Sequence, residues 1–390
     1  SPPGSVYRDG APPLRRPGLA VDRDLEDLTM IADVTVLHTL YDLVAEAVSA
    51  VRALFAAALV ALAAAGPGGA GPQDGLVPFD SGRWTMANAK VVEHLGRPSL
   101  VGTALIPDAE FEDGVIEYDV SVTGARSYPG VVFRSHPDGS WERFYIRPHR
   151  SGAIPPSLYP DVLQYVPAWN GVDGWQLYSG AGYTAPAVIP SGRWMHVRIE
   201  VLGTQARVFL DRATTPALVI PELRHGRRKG GVGLMGPADG TAFVSNFSVR
   251  AEPGLSFPPV ATRPVQPGFV RSWELSQVFP ALTVDLDEPL ARRMAGATWG
   301  GVEADRWGLV DVGRSRRRST GPEVVYARTT ITATRDEVRP FRLGYSDIVE
   351  VFANGQRVFA ADSTYTGRDP SFLGVIGLND TVYLPLRAGR

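Results

Sequence analysis

The feature that most constrains this chain is the stretch from Phe111 to His149, FEDGVIEYDVSVTGARSYPGVVFRSHPDGSWERFYIRPH, which reads as three strands joined by turns. Between Val115 and Val122, Ile116, Tyr118 and Val120 fall on one face, and Glu117, Asp119 and Ser121 on the other. A period of two with one apolar side marks a strand that buries one face. Tyr128-Pro129-Gly130 has turn chemistry. In Gly130–Ser135, Val131 and Phe133 share a face, with Val132 and Arg134 opposite. After the turn His136-Pro137-Asp138-Gly139, Phe144 and Ile146 take the core side, and Arg143, Tyr145 and Arg147 the other. Antiparallel strands with one buried face and one face rich in Arg and aromatics make half of a β-sandwich. The polar face is either a groove floor or a solvated surface.

Composition narrows the class. The chain has 390 residues, enough for about two domains. Its formal net charge of −2 argues against a general nucleic-acid binder. It has no Cys, which excludes disulfides, thiolate metal sites, a cysteine nucleophile and a lipidated N-terminal Cys. Gly 42 and Pro 33 supply the turns of an all-β protein.

Residues 1–20 are rich in Pro, Gly and Arg, a disordered composition. Leu25–Val51 spaces its apolar residues as an amphipathic helix would, through Leu25, Leu28, Ile31, Val34 and Leu37. Ala53–Ala65 is an unbroken apolar run, too short for a comfortable membrane span. It ends in Ala63-Ala64-Ala65-Gly66 before a Gly/Pro tract, the shape of a signal-peptide core with cleavage near Ala65–Ala70. Asp42 and Glu46 fit that reading poorly, unless translation starts near Val48 or Val51. The alternative is a buried Ala/Leu helix. The export reading makes residues 1–50 dispensable, leaves no stable membrane span in the mature form, and places the protein outside the cell or in a periplasm.

From Leu76 short strands and turns run almost to the end. They include Ala89–Val92, Ser99–Leu105, Leu163–Val166, Trp175–Tyr178, Met195–Val201, Ala206–Leu210, Gly231–Leu234 and Phe243–Val249. Such spacing indicates a sandwich or barrel. The expected order is a leader over 1–75, a β-sandwich over 76–252, a Pro-rich linker over 253–267 and a smaller β-sandwich over 268–390. In the last part Val324–Thr332, Phe341–Gly344, Ile348–Ala353 and Gln356–Phe359 read as strands, and Asn354-Gly355 is a strong hairpin signal. The ending Leu384-Pro385-Leu386-Arg387-Ala388-Gly389-Arg390 suggests that a last strand is missing.

Several residues here carry a family pattern. Phe111-x-Asp113-Gly114, Gly130-Val131-Val132-Phe133-Arg134, Trp141-Glu142-x-x-Tyr145, Gly192-x-Trp194-x-His196-Val197, Arg207-Val208-Phe209-Leu210-Asp211, Gly231-Val232-Gly233-Leu234 and Phe247-Ser248-Val249 resemble the concanavalin A-like lectin/glucanase sandwich. Within it the 3-keto-disaccharide hydrolase-like group of secreted bacterial proteins, often labelled glycoside-hydrolase-like, is most similar. The likeness covers about Leu76–Arg250. Asp347-Ile348-Val349-Glu350-Val351-Phe352-Ala353-Asn354-Gly355 resembles the jelly-roll modules appended to β-galactosidases. The resemblance implies an all-β fold, a concanavalin A-like jelly roll followed by a smaller β-sandwich, and a carbohydrate partner. Laminarinase-type relatives carry Glu-x-Asp-x-Glu on one strand. Here Glu117-Tyr118-Asp119-Val120-Ser121 replaces the third carboxylate with Ser, so that machinery does not carry over.

The candidate binding residues are Arg134, Tyr145, Arg147, Gln164, Trp169, Asn170 and Trp175, because guanidinium groups pair with hydroxyls and rings stack on sugar faces. The alternative is an inter-strand ion-pair ladder joining Glu142 to Arg134 or Arg147. Glu142 is the candidate general acid/base. Strict parity puts it on the core side, so its place in a groove follows from the resemblance alone. The spacing of six His offers no zinc site, and no cofactor is expected. Asp239-Gly240-Thr241 is a turn, or else part of a structural calcium site as in some relatives. Three functions stay open: a glycoside hydrolase, a non-catalytic carbohydrate-binding or adhesion protein, and a structural β-sandwich with a protein partner.

Overall fold

The alternating 111–149 stretch does become three strands, Gly114–Val122, Gly130–Ser135 and Trp141–Ile146, but they do not share one layer. The computed structural model describes residues 29–36, 75–152, 160–259, 267–315, 321–364, 367–368 and 375–389. Gly114–Val122 lies between Met195–Leu202 and Ala242–Arg250, whereas Gly130–Ser135 lies between Gly230–Met235 and Trp141–Ile146. The 15-residue strand Arg97–Phe111 joins the two sets. Its Leu100 pairs with Val244, and its Leu105 with Gly233. The strands therefore form one curled sheet whose halves face each other. Ile116, Tyr118, Val197 and Ile199 from one half meet Val131, Phe133, Phe144 and Tyr165 from the other in one core. Parity read from the sequence decides which side chains enter it; the curl decides that they meet.

Gly130 is needed where Tyr128-Pro129-Gly130 turns into its strand. A Cβ there would lie 2.0 Å from the Phe144 carbonyl oxygen, so only glycine allows the close approach of the two strands. Trp175–Tyr178, expected as a strand, is a turn instead. Leu177 donates its N–H to the Gly174 carbonyl at 2.9 Å. Gly171, Gly174 and Gly180 punctuate the segment and break the extended backbone that its aromatic side chains favour.

The second unit is a sheet in the order Trp299–Glu303, Ser272–Ser276, Glu323–Thr330, Thr29–Val36, Asp347–Ala353 and Gln356–Ser363. Opposite it lies a pair of strands, Glu337–Leu343 and Asp380–Leu386. Val382, Leu384 and Leu386 pack against Val349, Val351 and Ala353 between these layers. The Asn354-Gly355 hairpin forms, with φ of 49° and 77°, the double positive φ of the favoured two-residue turn.

The helix expected over Leu25–Val51 is not what Thr29–Val36 adopts. That segment is a strand, antiparallel to both Glu323–Thr330 and Asp347–Ala353. Its β-branched Thr29, Ile31, Val34, Thr35 and Val36 suit a strand as well as their spacing suits a helix. Two strand edges with unpaired backbone groups decide between them. The expectations for residues 1–20 and for Ala53–Ala65 lie outside the described residues. No helix among the described residues is long and apolar enough to cross a membrane.

Candidate functional site

The expected binding residues fall into three places. The first is the face of Trp141–Ile146 and Leu163–Trp169 turned away from the main core. There Arg147 donates from Nη2 to the Tyr145 hydroxyl at 2.8 Å and from Nη1 to the Asp161 carbonyl at 2.6 Å. It also donates to Gln164 Oε1, which accepts the Tyr145 hydroxyl at 2.8 Å. Gln164 Nε2 in turn donates to the carbonyls of Trp175 and Tyr178, at 2.8 and 2.6 Å. Arg143, on the same face, pairs with Asp173 at 2.7 Å.

Rings close around this network. The Arg147 guanidinium lies 4.9 Å from the Tyr145 ring centroid, 5.5 Å from Trp175 and 5.9 Å from Tyr128. Tyr128 meets His149 edge-on at 5.5 Å. Tyr145, Arg147 and Gln164 are 3%, 3% and 1% exposed, so the network is sealed from solvent. Tyr128, His149 and Trp175 are half-buried and form its outer rim. Burial pushes the Tyr145 hydroxyl up, so it stays protonated and donates. Burial, with help from Arg150, Arg126 and Arg147, brings His149 down to about 4, so its ring is neutral near pH 7. The buried Nδ1 of His149 has no hydrogen-bond partner.

Tyr128, Asp161 and Asp173 are residues of this site that sequence reasoning did not assign to it. Tyr128 was legible only as the first residue of a Tyr-Pro-Gly turn. The signal for Asp161, a lone carboxylate just before the Leu163 strand, is too common to single out.

The second place is the core-side rim of the sandwich, and it holds Glu142 and Arg134. Glu142 sits on the core side, as strict parity requires, and is 0% exposed. It accepts the Tyr165 hydroxyl at 2.7 Å and the His225 backbone N–H at 3.0 Å. Burial pushes its carboxyl up, against the lowering pull of these bonds and of Arg134 and Arg228. Arg134 has φ of 50° beside a register shift, which turns it out of the alternation of its strand. Its guanidinium donates to the carbonyls of Glu112, Gly203 and Gly226 and to Asp113. Arg134 thus ties three loops together rather than facing the Arg147 network. Neither Arg134 nor Arg147 forms the ladder with Glu142.

Trp169 and Asn170 occupy the third place, the contact between the two units. The Trp169 ring lies 3.8 Å from that of His225, under the Arg314 guanidinium. Asn170 donates to the Gly313 carbonyl at 2.8 Å. Of the expected set, the structure therefore brings together Tyr145, Arg147, Gln164 and Trp175, and separates Arg134, Glu142, Trp169 and Asn170 from them.

Glu117 and Asp119 converge elsewhere, on the outer face of the opposite half of the sandwich. His196 lies 3.5 Å from Glu117 and 2.8 Å from Asp119, and Arg97 lies 2.6 Å from Asp119. The His196 hydrogen bond, then Arg250, bring Glu117 down to about 2 against the opposing effect of burial. Burial works against Asp119 too, but His196 and Asn246 hold its carboxyl below the usual range. Two carboxylates that are both ionised near neutrality give no acid–base couple. Asp239 Oδ1 accepts the Thr241 N–H and hydroxyl at 2.9 and 2.7 Å, the bonding of a turn. Among the described residues no group of three His, Asp or Glu is placed to hold a metal ion.

No family model and no curated protein matches the chain. Solved structures do resemble it in part. A carbohydrate-binding module of Bacillus subtilis is 14% identical over 43% of this chain and 92% of its own, with a TM-score of 0.27. A galectin of Caenorhabditis elegans is 13% identical over 42% of this chain and 96% of its own, with a TM-score of 0.26. A Bacillus subtilis protein with a galectin-like fold is 11% identical over 42% and 87%, with a TM-score of 0.28.

Proposed function

We propose that the rim formed by Tyr128, His149 and Trp175 recognises a saccharide without catalysing a reaction on it. The observation that carries this reading is the pair of half-buried rings, Tyr128 and Trp175, held against one buried guanidinium, Arg147. Rings fixed in this way present apolar faces on which a sugar can stack. The sealed Tyr145–Gln164–Arg147 network positions them. A glycan array on the full chain tests the proposal. Trp175→Ala and Tyr128→Ala should each weaken binding of the best ligand by about 5- to 150-fold, roughly 1–3 kcal/mol. Unchanged binding in both, with circular dichroism intact, would place the site elsewhere.

The competing reading is glycoside hydrolysis with Glu142 as the acid. Its one support is the raised proton affinity of that buried carboxyl. Turnover of an array hit that Glu142→Gln abolishes would establish it. Export belongs to the proposed function, on the pattern of Ala53–Ala65. Intact mass of the protein recovered outside the cytoplasm checks it: a new N-terminus near Ala65–Ala70 supports export and means that the mature second sheet forms without Thr29–Val36, whereas a form that keeps that strand removes the cleavage reading.

A further inference from the structure

On one side the larger sheet of the second unit ends at Gln356–Ser363, which among the described residues pairs only with Asp347–Ala353. A free strand edge carries unpaired N–H and C=O groups that can pair with another chain, so natural sheets shorten, bulge or interrupt their edges. The other edges among the described residues are short or broken. Trp299–Glu303 has five residues and contains Gly300 and Gly301, and Leu218–Ile220 has three. Glu337–Leu343 and Asp380–Leu386 carry Pro340 and Pro385, and a register shift interrupts Thr85–His94 between Ala87 and Lys90. Gln356–Ser363 has eight residues and no Pro, Gly or Lys. Its one irregularity is an extra residue, Val358, near its start: Arg357 pairs with Phe352 and Phe359 with Val351.

The side chains of this edge are complementary to themselves. Phe359 and Ala361 turn inward onto the core that holds Val349 and Val351. Arg357, Ala360 and Asp362 are exposed on the other face, and the extra residue is what brings Arg357 onto it. Arg357 pairs with Glu350 at 2.6 Å, but Glu350 also pairs with Arg293 at 2.6 Å, so one carboxylate serves two guanidinium groups. The Arg357 side chain keeps 58% of its surface exposed. Asp362 accepts the Thr364 N–H at 2.8 Å and forms no ion pair among the described residues. Two copies of the strand laid antiparallel about a two-fold axis at Ala360 bring Arg357 of each against Asp362 of the other, and Phe359 against Ala361.

We propose that Gln356–Ser363 is a dimerisation edge. Its partner is the same strand of a second copy of this chain, paired antiparallel, so that the larger sheets of two second units run on as one. A two-fold contact of this kind uses up both edges and closes, which stops further growth. Strand pairing alone buries less than the roughly 800 Å² per partner of a standard interface, so the dimer depends on concentration.

Sedimentation equilibrium of the full chain, from micromolar to millimolar concentration, tests the proposal. The mass should rise from one chain to two, and amide exchange across 356–363 should slow as it does. Ala360→Lys keeps the pairing with Asp347–Ala353 and sets two lysines against each other at the axis. It should raise the dissociation constant about fivefold or more, with circular dichroism unchanged. Asp362→Arg and Arg357→Asp should each weaken the dimer in the same direction. An equimolar mixture of these two variants should restore it, because every arginine at the contact then meets an aspartate. A single-chain mass at every concentration overturns the proposal. A two-chain mass that Ala360→Lys leaves unchanged, or dimerisation without slower exchange across 356–363, does the same. Failure of the mixture to restore the dimer overturns the pairing about Ala360.

Discussion

Two ionisable residues show how neighbours decide the role of a charge. Glu142 is a carboxyl enclosed by a phenol and a backbone N–H, and it acts as a cross-brace between Trp141–Ile146, Leu163–Trp169 and the 222–229 segment. Glu142→Ala orphans both donors and leaves a void, so it should destabilise the first unit by about 3–5 kcal/mol in denaturant titration. Saccharide binding by the remaining folded protein should be unchanged. His196 is the opposite case, half-exposed between two carboxylates. Hydrogen bonds to Asp119 and Glu117 raise it from 6.5 to about 9. Its folded pKa is raised, so its contribution to stability is full below 6.5 and is lost as pH rises through about 9. Glu117 is lowered, so its contribution is present above its ordinary value and is lost as pH falls toward 2. Solvent screening keeps such pairs to at most about 1 kcal/mol, or roughly 2–4 °C in a unit of this size. The melting temperature should therefore decline between pH 6.5 and 9, and His196→Gln should flatten that decline.

Among elements, Thr29–Val36 carries the largest consequence. It lies in the middle of its sheet, with eight residues in register with Glu323–Thr330 and six with Asp347–Ala353. Removing residues 1–36 would leave two facing strand edges unpaired. At about 1 kcal/mol net per ladder hydrogen bond, the loss is on the order of 10 kcal/mol, comparable to the whole stability of a domain. The shortened chain should show a lower melting temperature for the second unit and faster amide exchange across 323–330 and 347–353. This outcome runs against the expectation that residues 1–50 are dispensable. An unchanged melting curve would restore that expectation.

At the scale of the molecule, the two units meet through polar groups, most of them taken out of water. The Tyr178 hydroxyl donates to Asp311 at 2.6 Å, Arg224 pairs with Asp305 at 3.1 Å, and Arg306 pairs with Glu222 at 2.9 Å. Burial pushes the Asp311 carboxyl up, against the Tyr178 bond that supports its charge. Such an interface couples the units strongly while both partners are present and weakly once one is removed. The full chain should unfold in one calorimetric transition. Arg224→Ala, which strands Asp305, should split it into two, with the second unit melting first.

Much of this architecture was legible along the chain. Alternation is a local property of an extended backbone, so Ile116 and Tyr118, Val131 and Phe133, and Phe144 and Ile146 could be assigned to the core one strand at a time. Asn354-Gly355 was readable for the same reason, because two positive φ angles are a demand on two residues only. The parity of Glu142 was also local, and it placed that residue correctly on the core side. Alternation says that a strand has two faces, but not what covers each. The Gly171–Tyr178 segment lies over the polar face and turns a possible groove into a sealed network with a narrow rim. The layer that Gly114–Val122 joins was decided by the curl of Arg97–Phe111, and the bulge at Arg134 by the register of its neighbour. The fate of Thr29–Val36 was decided by strand edges almost three hundred residues away. Pairing between distant segments depends on which edges remain open after everything else has packed, and only the tertiary structure contains that information.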